Sequence, residues 1–341
     1  MVHIPRPNFE NLRQVLLRQG QPERLPFIEL FADREIMEAV IGEPIPAYDL
    51  FQREQQEIAV RQTIRFWYET GYDHVGLGVR LDLPRKRVLA ADTADLARSQ
   101  RAWQDESSGV INSWQEFEAF PWPRPETIDF YPLEYASRRL PEGMKLIVLG
   151  PGGQLENIMW LMGYMPMSYA LADAPALVQA VADIPGVGAL WLGDDMGFKT
   201  ATMISPELMR RFVFPWQKKL AAIAHAHNMP FILHSCGNLE AIMDDLIDDV
   251  GIDAKHSFED AIMPVAEAKR RHGDRVALLG GVDVDVLCRG TEDEVRAYTR
   301  RVIEACAPGG GWALGTGNSV ANYIPVRNYL AMLDEGRKYK F

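Results

Sequence analysis

Two hydrophobic periods alternate along the chain. Short β-rich runs closed by Gly, Asp, Asn or Ser recur as "PFIELF" at 26–31, "HVGLG" at 74–78, "KLIVLGPGG" at 145–153 and "GALWLGDD" at 188–195. They continue as "PFILHSCGN" at 230–238, "IDAKHSFED" at 252–260, "VALLGGVD" at 276–283 and "WALGTGNS" at 312–319, and each has the form of a buried strand. Between them the apolar spacing widens to a helical period over 33–41, 52–70, 155–184 with an interruption, 206–228, 239–249, 262–272 and 291–307. Two helix starts are well marked. Ser205 precedes Pro206 as an N-cap, and Thr291 with Glu294 three residues on predicts a capping box.

Eight strand–helix units, with strands that lack clean polar alternation, predict parallel strands covered by helices. The economical α/β architecture is a (β/α)8 TIM barrel, with residues 1–341 as one domain and a helical segment at the N-terminus. An open doubly wound sheet is the alternative, but no Gly-x-Gly-x-x-Gly follows the first strand, and Gly150-Pro151-Gly152-Gly153 is not that fingerprint. Residues 79–144 are too many for one crossover between the second and third strands. Their segments "RKRVLAAD" and "SGVINSWQEFEAFPWPRPETIDF" predict an inserted hairpin and a cap over the barrel mouth, in which Trp114, Phe117, Phe120 and Trp122 either pack together or line an apolar ligand site.

A net charge of −11 argues against nucleic acid or anionic membrane as a general partner, because such surfaces need clustered Lys and Arg. The start "MVHIPRPNFENLRQ" has no apolar leader and no window approaches bilayer length, so a cytoplasmic location is expected. Three cysteines fit reduced thiols rather than a disulfide framework, with Cys288 and Cys306 read as buried structural thiols.

In a barrel of this kind chemistry collects at the C-terminal ends of the strands. Those positions hold Glu29, Gln154, Glu156, Asp194, Asp195, His234, Cys236, Lys255, His256, Glu259, Asp283, Thr316 and Asn318. Alternation on a strand sends residues two apart to one face, so His234 and Cys236 are expected to share a space, and only one of Lys255 and His256 can face the cavity. Of the adjacent carboxylates, one is expected to cap the following turn, and Asp194 is taken as the inward one. Zinc favours imidazole and thiolate but needs about three protein ligands. His234 and Cys236 supply two; a third must come from another strand end, where Glu156, Asp194, Asp283 and Thr316 or Asn318 are the geometric candidates and Asp194 is the one taken. The alternative is a hydrogen-bonded His beside an inert Cys.

The segments "GDDMGFKTATMISPELMRRFVFPWQKKL", "HSCGN", "KHSFED", "LLGGVDVDVL" and "APGGGWALGTGNSVANYIPVRNYLAML", within 188–336, resemble the uroporphyrinogen decarboxylase superfamily. That resemblance implies a (β/α)8 barrel with its site in the C-terminal cleft. The decarboxylase branch carries an Arg-rich N-terminal "RQAGRY"-type segment, an Asp after the second strand and Gly-His-Gly after the last. Here the matching places read "IELFADREI", Gly76-Leu77-Gly78 and Gly315-Thr316-Gly317. The methyltransferase branch carries His-x-Cys after the fifth strand, matched by His234 and Cys236, and a further Cys near the place of Thr316 or Asn318, which is not matched.

The resemblance thus implies a zinc-dependent methyltransferase, drawing on a small methylated substrate and a corrinoid. No Asp-x-His-x-x-Gly segment is present to bind the corrinoid here, so it is expected on a separate partner protein. Asp194, Asp195 and His234 are the expected catalytic groups; Glu29, Gln154, Glu156, His256, Asp283, Thr316 and Asn318 are expected to bind substrate. A decarboxylase acting on a tetrapyrrole or other carboxylate, with Asp194 or Asp195 as proton donor, is the second expectation, and a non-catalytic tetrapyrrole-binding barrel the third. The oligomeric state is left open.

Overall fold

A computed structural model of the chain describes residues 5–341 except 50, 81–83, 85, 93, 95, 97–99, 105–108, 112, 123–127 and 163–178. Its strands are β1 (His74–Gly78), β2 (Arg87–Ala91), β3 (Gln100–Gln104), β4 (Lys145–Leu149), β5 (Val187–Gly193), β6 (Phe231–His234), β7 (Ala254–His256), β8 (Ala277–Leu279) and β9 (Trp312–Ala313). The sheet β1-β4-β5-β6-β7-β8-β9 runs in chain order and is parallel throughout. The expected strand at 26–31 joins its far edge only through isolated parallel bridges, Phe27 to Leu314 and Ala32 to Val320. There the Ile28 N–H donates to the Leu314 carbonyl at 2.8 Å and the Leu314 N–H to the Pro26 carbonyl at 3.0 Å. The result is a curled parallel sheet rather than eight full strands, and the later strands are shorter than their apolar runs because the polar residues at each end leave the ladder as loops.

The helices are α1 (Phe9–Leu16), α2 (Arg34–Ile41), α3 (Arg53–Glu69), α4 (Trp114–Ala119), α5 (Tyr131–Ser137), α6 (Gln154–Met162), α7 (Pro206–Phe212), α8 (Phe214–Ala226), α9 (Val265–His272), α10 (Val284–Arg289), α11 (Glu292–Cys306) and α12 (Val326–Lys338). The expected helix at 206–228 is split at Val213, where Pro215 withholds an N–H from the ladder and its ring crowds the preceding turn. The expected helix at 239–249 is instead a 3-10 turn, Glu240–Ile242, followed by a π-helical turn, Asp245–Val250. The helix expected over 155–184 begins as α6, and most of its remainder lies outside the described residues. Both marked caps form: Ser205 accepts from the Leu208 N–H, and Thr291 with Glu294 closes the capping box.

Alternation along the strands divides the core in two. Ile147, Ala189, Trp191, Ile232, Ala254, Ala277, Leu279 and Ala313 turn to the concave side, where Phe9, Leu12, Val15 and Leu16 of α1 pack against them. Small residues around Trp191 leave room for its indole. The opposite faces, such as Leu190, Phe231, Leu233 and Leu278, pack on the helices in a second cluster. Burial of this scale supplies most of the stability.

β2 and β3 form an antiparallel hairpin within the insertion. Phe117, Phe120 and Trp122 pack around buried Ile111 and Leu161, with Trp114 edge-on to Phe117 at 5.4 Å. Among the described residues no helix is long and apolar enough to cross a membrane.

Candidate metal centre

Register brings the chemistry together. In the parallel ladder His234 stands opposite His256, and Gly193 opposite His234. Two imidazoles therefore meet at the C-terminal end of the sheet, with their Nδ1 atoms 2.8 Å apart. Beneath them the Trp191 indole lies edge-on to His256, with ring centroids 5.4 Å apart. Lys255 takes the opposite face of β7. Its ammonium donates to the carbonyls of Ser235 and Ser257 at 3.0 and 2.9 Å, tying together the loops that follow β6 and β7.

Although β6 ends at His234, the loop returns Cys236 to the same space, with Sγ 3.5 Å from His234 Nε2. A close approach of two loops sets this turn. Gly237 has φ +86°, and a Cβ there would fall 2.1 Å from the Gly197 carbonyl oxygen, so neither position has room for a larger residue.

The two carboxylates divide their work in the reverse of the sequence expectation. Asp194 is fully buried and turns away from the histidines. Its Oδ1 accepts from the Leu155 and Glu156 N–H groups at 3.0 and 3.1 Å, capping the first turn of α6, and its Oδ2 accepts from Gln217 Nε2 at 2.8 Å. Gly153 is required beside it, since a Cβ there would lie 2.0 Å from that of Asp194. Asp195 instead accepts from the Cys236 N–H at 2.7 Å and stands 3.4 Å from His234 Nε2. Asp195, His234 and Cys236 offer one ligand atom each, all within 4.8 Å of one another. The third member of the cluster is thus Asp195, not Asp194, because Asp194 has spent its oxygens on the α6 amides and Gln217.

Other expected substrate-binding residues also have structural partners. Glu29 and Thr316 are fully buried and bind each other: Thr316 donates its N–H at 2.9 Å and its hydroxyl at 2.6 Å, joining the first segment to the last. Asp283 caps α10, accepting from the Asp285 and Val286 N–H groups at 2.8 and 3.3 Å, and also accepts from the Asp260 N–H at 3.0 Å. His256 is buried against His234. Gln154 opens α6, and its side chain lies outside the described residues. Asn318 does reach the cluster, with Nδ2 3.3 Å from Cys236 Sγ. Ser257, which the sequence did not single out, brings its hydroxyl to 3.7 Å from the same sulfur. Its only signal was adjacency to His256 in "KHSF".

Burial shapes the electrostatics. It pushes the Glu156 carboxyl up to about 9, with the nearby charges of Asp195 and Asp194 adding to the effect. Asp194 rises to about 7 through burial, against its hydrogen bonds. Burial also acts on Asp195, but hydrogen bonding and charge from His234 and the Cys236 amide outweigh it and hold this carboxyl below its usual range. The Cys236 thiol is raised to about 12 by burial and by Asp195. Burial lowers His256 well below the ordinary imidazole value, helped by His234 and Lys255, so its ring is neutral.

This donor set fits zinc. Tetrahedral zinc with bonds of about 2.0 to 2.3 Å spaces N and S ligands by about 3.6 Å and N and O ligands by about 3.4 Å; the His234 Nε2 distances are 3.5 Å to Cys236 Sγ and 3.4 Å to Asp195 Oδ1. The neutral His256 completes the fit: its Nδ1 is placed to accept from His234 Nδ1–H, and with that proton so held the His234 Nε2, which otherwise donates toward Asp195, would give up its proton and turn its lone pair to a bound ion.

Residues 176–339 match the family model described as uroporphyrinogen decarboxylase (URO-D). The chain is 29% identical over 171 residues to the methylcobamide:CoM methyltransferase MtaA of Methanosarcina barkeri, covering 50% of this chain and 46% of that protein. It is 27% identical over 229 residues to the uroporphyrinogen decarboxylase of Thioalkalivibrio sulfidiphilus, covering 65% of this chain and 58% of that protein. The chain thus spans about half the length of the curated relatives it matches. Among solved structures, a methyltransferase from Methanosarcina mazei is similar with a TM-score of 0.65 over 96% of this chain and 97% of that one, at 16% identity, a likeness of fold.

Proposed function

We propose, from the match of residues 176–339 to the URO-D family model, that the chain is a metal-dependent methyltransferase drawing its methyl group from a small methylated compound and passing it to a corrinoid on a separate protein. The observation that carries this reading is the convergence of Asp195, His234 and Cys236 at the C-terminal end of the curled parallel sheet. The likeness to methylcobamide:CoM methyltransferases supports methyl transfer linked to a corrinoid; the direction, toward the corrinoid, is taken from the donor set of the site.

Asp195, His234 and Cys236 would hold zinc, which when bound supplies a Lewis acid to the substrate atom that carries the methyl group. His256 fixes the His234 tautomer and ring orientation. Asp194, clamped by Gln217 and the α6 amides, fixes the backbone that presents Asp195. Burial, with the nearby charges of Asp195 and Asp194, keeps Glu156 protonated at neutral pH, so it adds no further negative charge near Asp195.

Metal analysis and transfer assays test this together. One zinc per chain is expected, lost in His234→Ala, along with methyl transfer from a methylated donor to cob(I)alamin that chelation abolishes. Purified protein that stays metal-free in added zinc refutes the proposal.

The protonated Glu156 favours one second reading, a decarboxylase with this carboxyl as proton donor. Similarity to uroporphyrinogen decarboxylases supports it too. Its mark is carbon dioxide release from a carboxylate substrate that survives chelation.

A further inference from the structure

The Cys236 sulfur is gripped from outside the ligand cluster. Asn318, from the loop after β9, places Nδ2 3.3 Å from Sγ, and the Ser257 hydroxyl stands 3.7 Å away on another loop. Lys255 holds that second loop in place through the Ser235 and Ser257 carbonyls. Sulfur that binds a metal has no proton to give, so of the two ends of the Asn318 amide only the N–H end suits it. A thiolate kept out of water gains from such a donor because the bond is charge-assisted.

We propose that Asn318 is a positioning residue of the metal centre: its side-chain N–H donates to the Cys236 sulfur, fixes that sulfur on the ligand side and completes the site without adding charge. The inference rests on the metal reading above. Charge explains why an amide stands there. Asp195 and Cys236 bring two negative charges, which balance a divalent cation bound also by neutral His234. A further thiolate or carboxylate at the Asn318 position would leave the centre anionic and weaken its pull on the lone pair of a methyl donor. The amide therefore points to a substrate whose methyl sits on oxygen or nitrogen, activated through that atom, rather than to a thiol bound as its anion.

Cobalt(II) is the probe, because its sulfur-to-metal charge-transfer band reports directly on the thiolate. Wild-type protein should bind one Co(II) and show the intensity of a single thiolate. Asn318→Ala should still bind Co(II), with the band moved to lower energy and the affinity weakened about tenfold, the lower end of what loss of an outer partner costs. Asn318→Leu keeps about the same volume without charge or donor, so a purely space-filling role would leave its band in place, whereas the proposed role moves it. Circular dichroism melts report folding, and Asn318→Leu decides the matter if the alanine variant does not fold. A band at the wild-type position in either variant overturns the proposal. Failure of wild-type protein to bind Co(II) at all overturns the metal reading first, and this inference with it.

Discussion

Substituting Glu29 by Gln should make the protein less sensitive to alkali. Burial pushes this carboxyl from 4.5 up to about 8, opposed only in part by its hydrogen bonds from Thr316. The folded state thus holds a proton that the unfolded state releases. The associated stability is complete below pH 4.5 and is lost as pH rises through about 8. Each pH unit inside that window costs up to about 1.4 kcal/mol, so moving from pH 5 to pH 8 removes about 3 kcal/mol. At about 2.1 cal/mol/K per residue, unfolding of 341 residues carries an entropy that turns this loss into about 4 °C of Tm. Glutamine fits the same place: its Oε1 accepts the Thr316 N–H and its Nε2 donates to the hydroxyl, which then accepts. Thermal melts of both proteins at pH 5 and pH 8 provide the assay. Asp194 and Glu156 titrate in the same direction in both, so the difference between the two slopes isolates Glu29. Equal losses in wild type and Glu29→Gln would refute the assignment of a neutral, buried Glu29.

Asp195→Asn should lower zinc affinity at least tenfold, while Asp194→Asn keeps one zinc per chain and shifts stability by about 1 kcal/mol or less, since an Asn oxygen can still cap α6 and Gln217 can turn its amide; competition with a chromogenic chelator separates the two. His256→Phe should weaken zinc binding about 10- to 100-fold by freeing the His234 tautomer, measured in the same competition. Zinc uptake must displace the Cys236 proton, whose site is pushed up to about 12. Affinity should therefore rise about tenfold per pH unit between pH 6 and pH 8, with about one proton from this thiol released in calorimetry across buffers of different ionisation enthalpy.

Much of the architecture was legible because periodicity is local. The alternation of "ALWLG" and "FILH" predicts β5 and β6, and Ser205 and Thr291 mark helix starts through contacts within four residues. The strand ends read long because an apolar run does not say where the ladder stops. That depends on neighbours such as the loops meeting at Gly197 and Gly237. The split at Val213 was visible in Pro215, and was missed because the apolar spacing continues across it.

By itself the sequence determined that imidazole and thiol lie two residues apart at a strand end, with a carboxylate pair at another, because spacing along one chain is a local property. Only the tertiary structure decided which carboxylate faces them. Asp194 is drawn outward by amides 38 and 39 residues away and by Gln217, 23 residues away, and no local signal records partners so distant in the chain. The pairing of His234 with His256 is likewise set by register between strands 22 residues apart. Side chains find their partners through the packing of the whole sheet, and that packing fixes the centre.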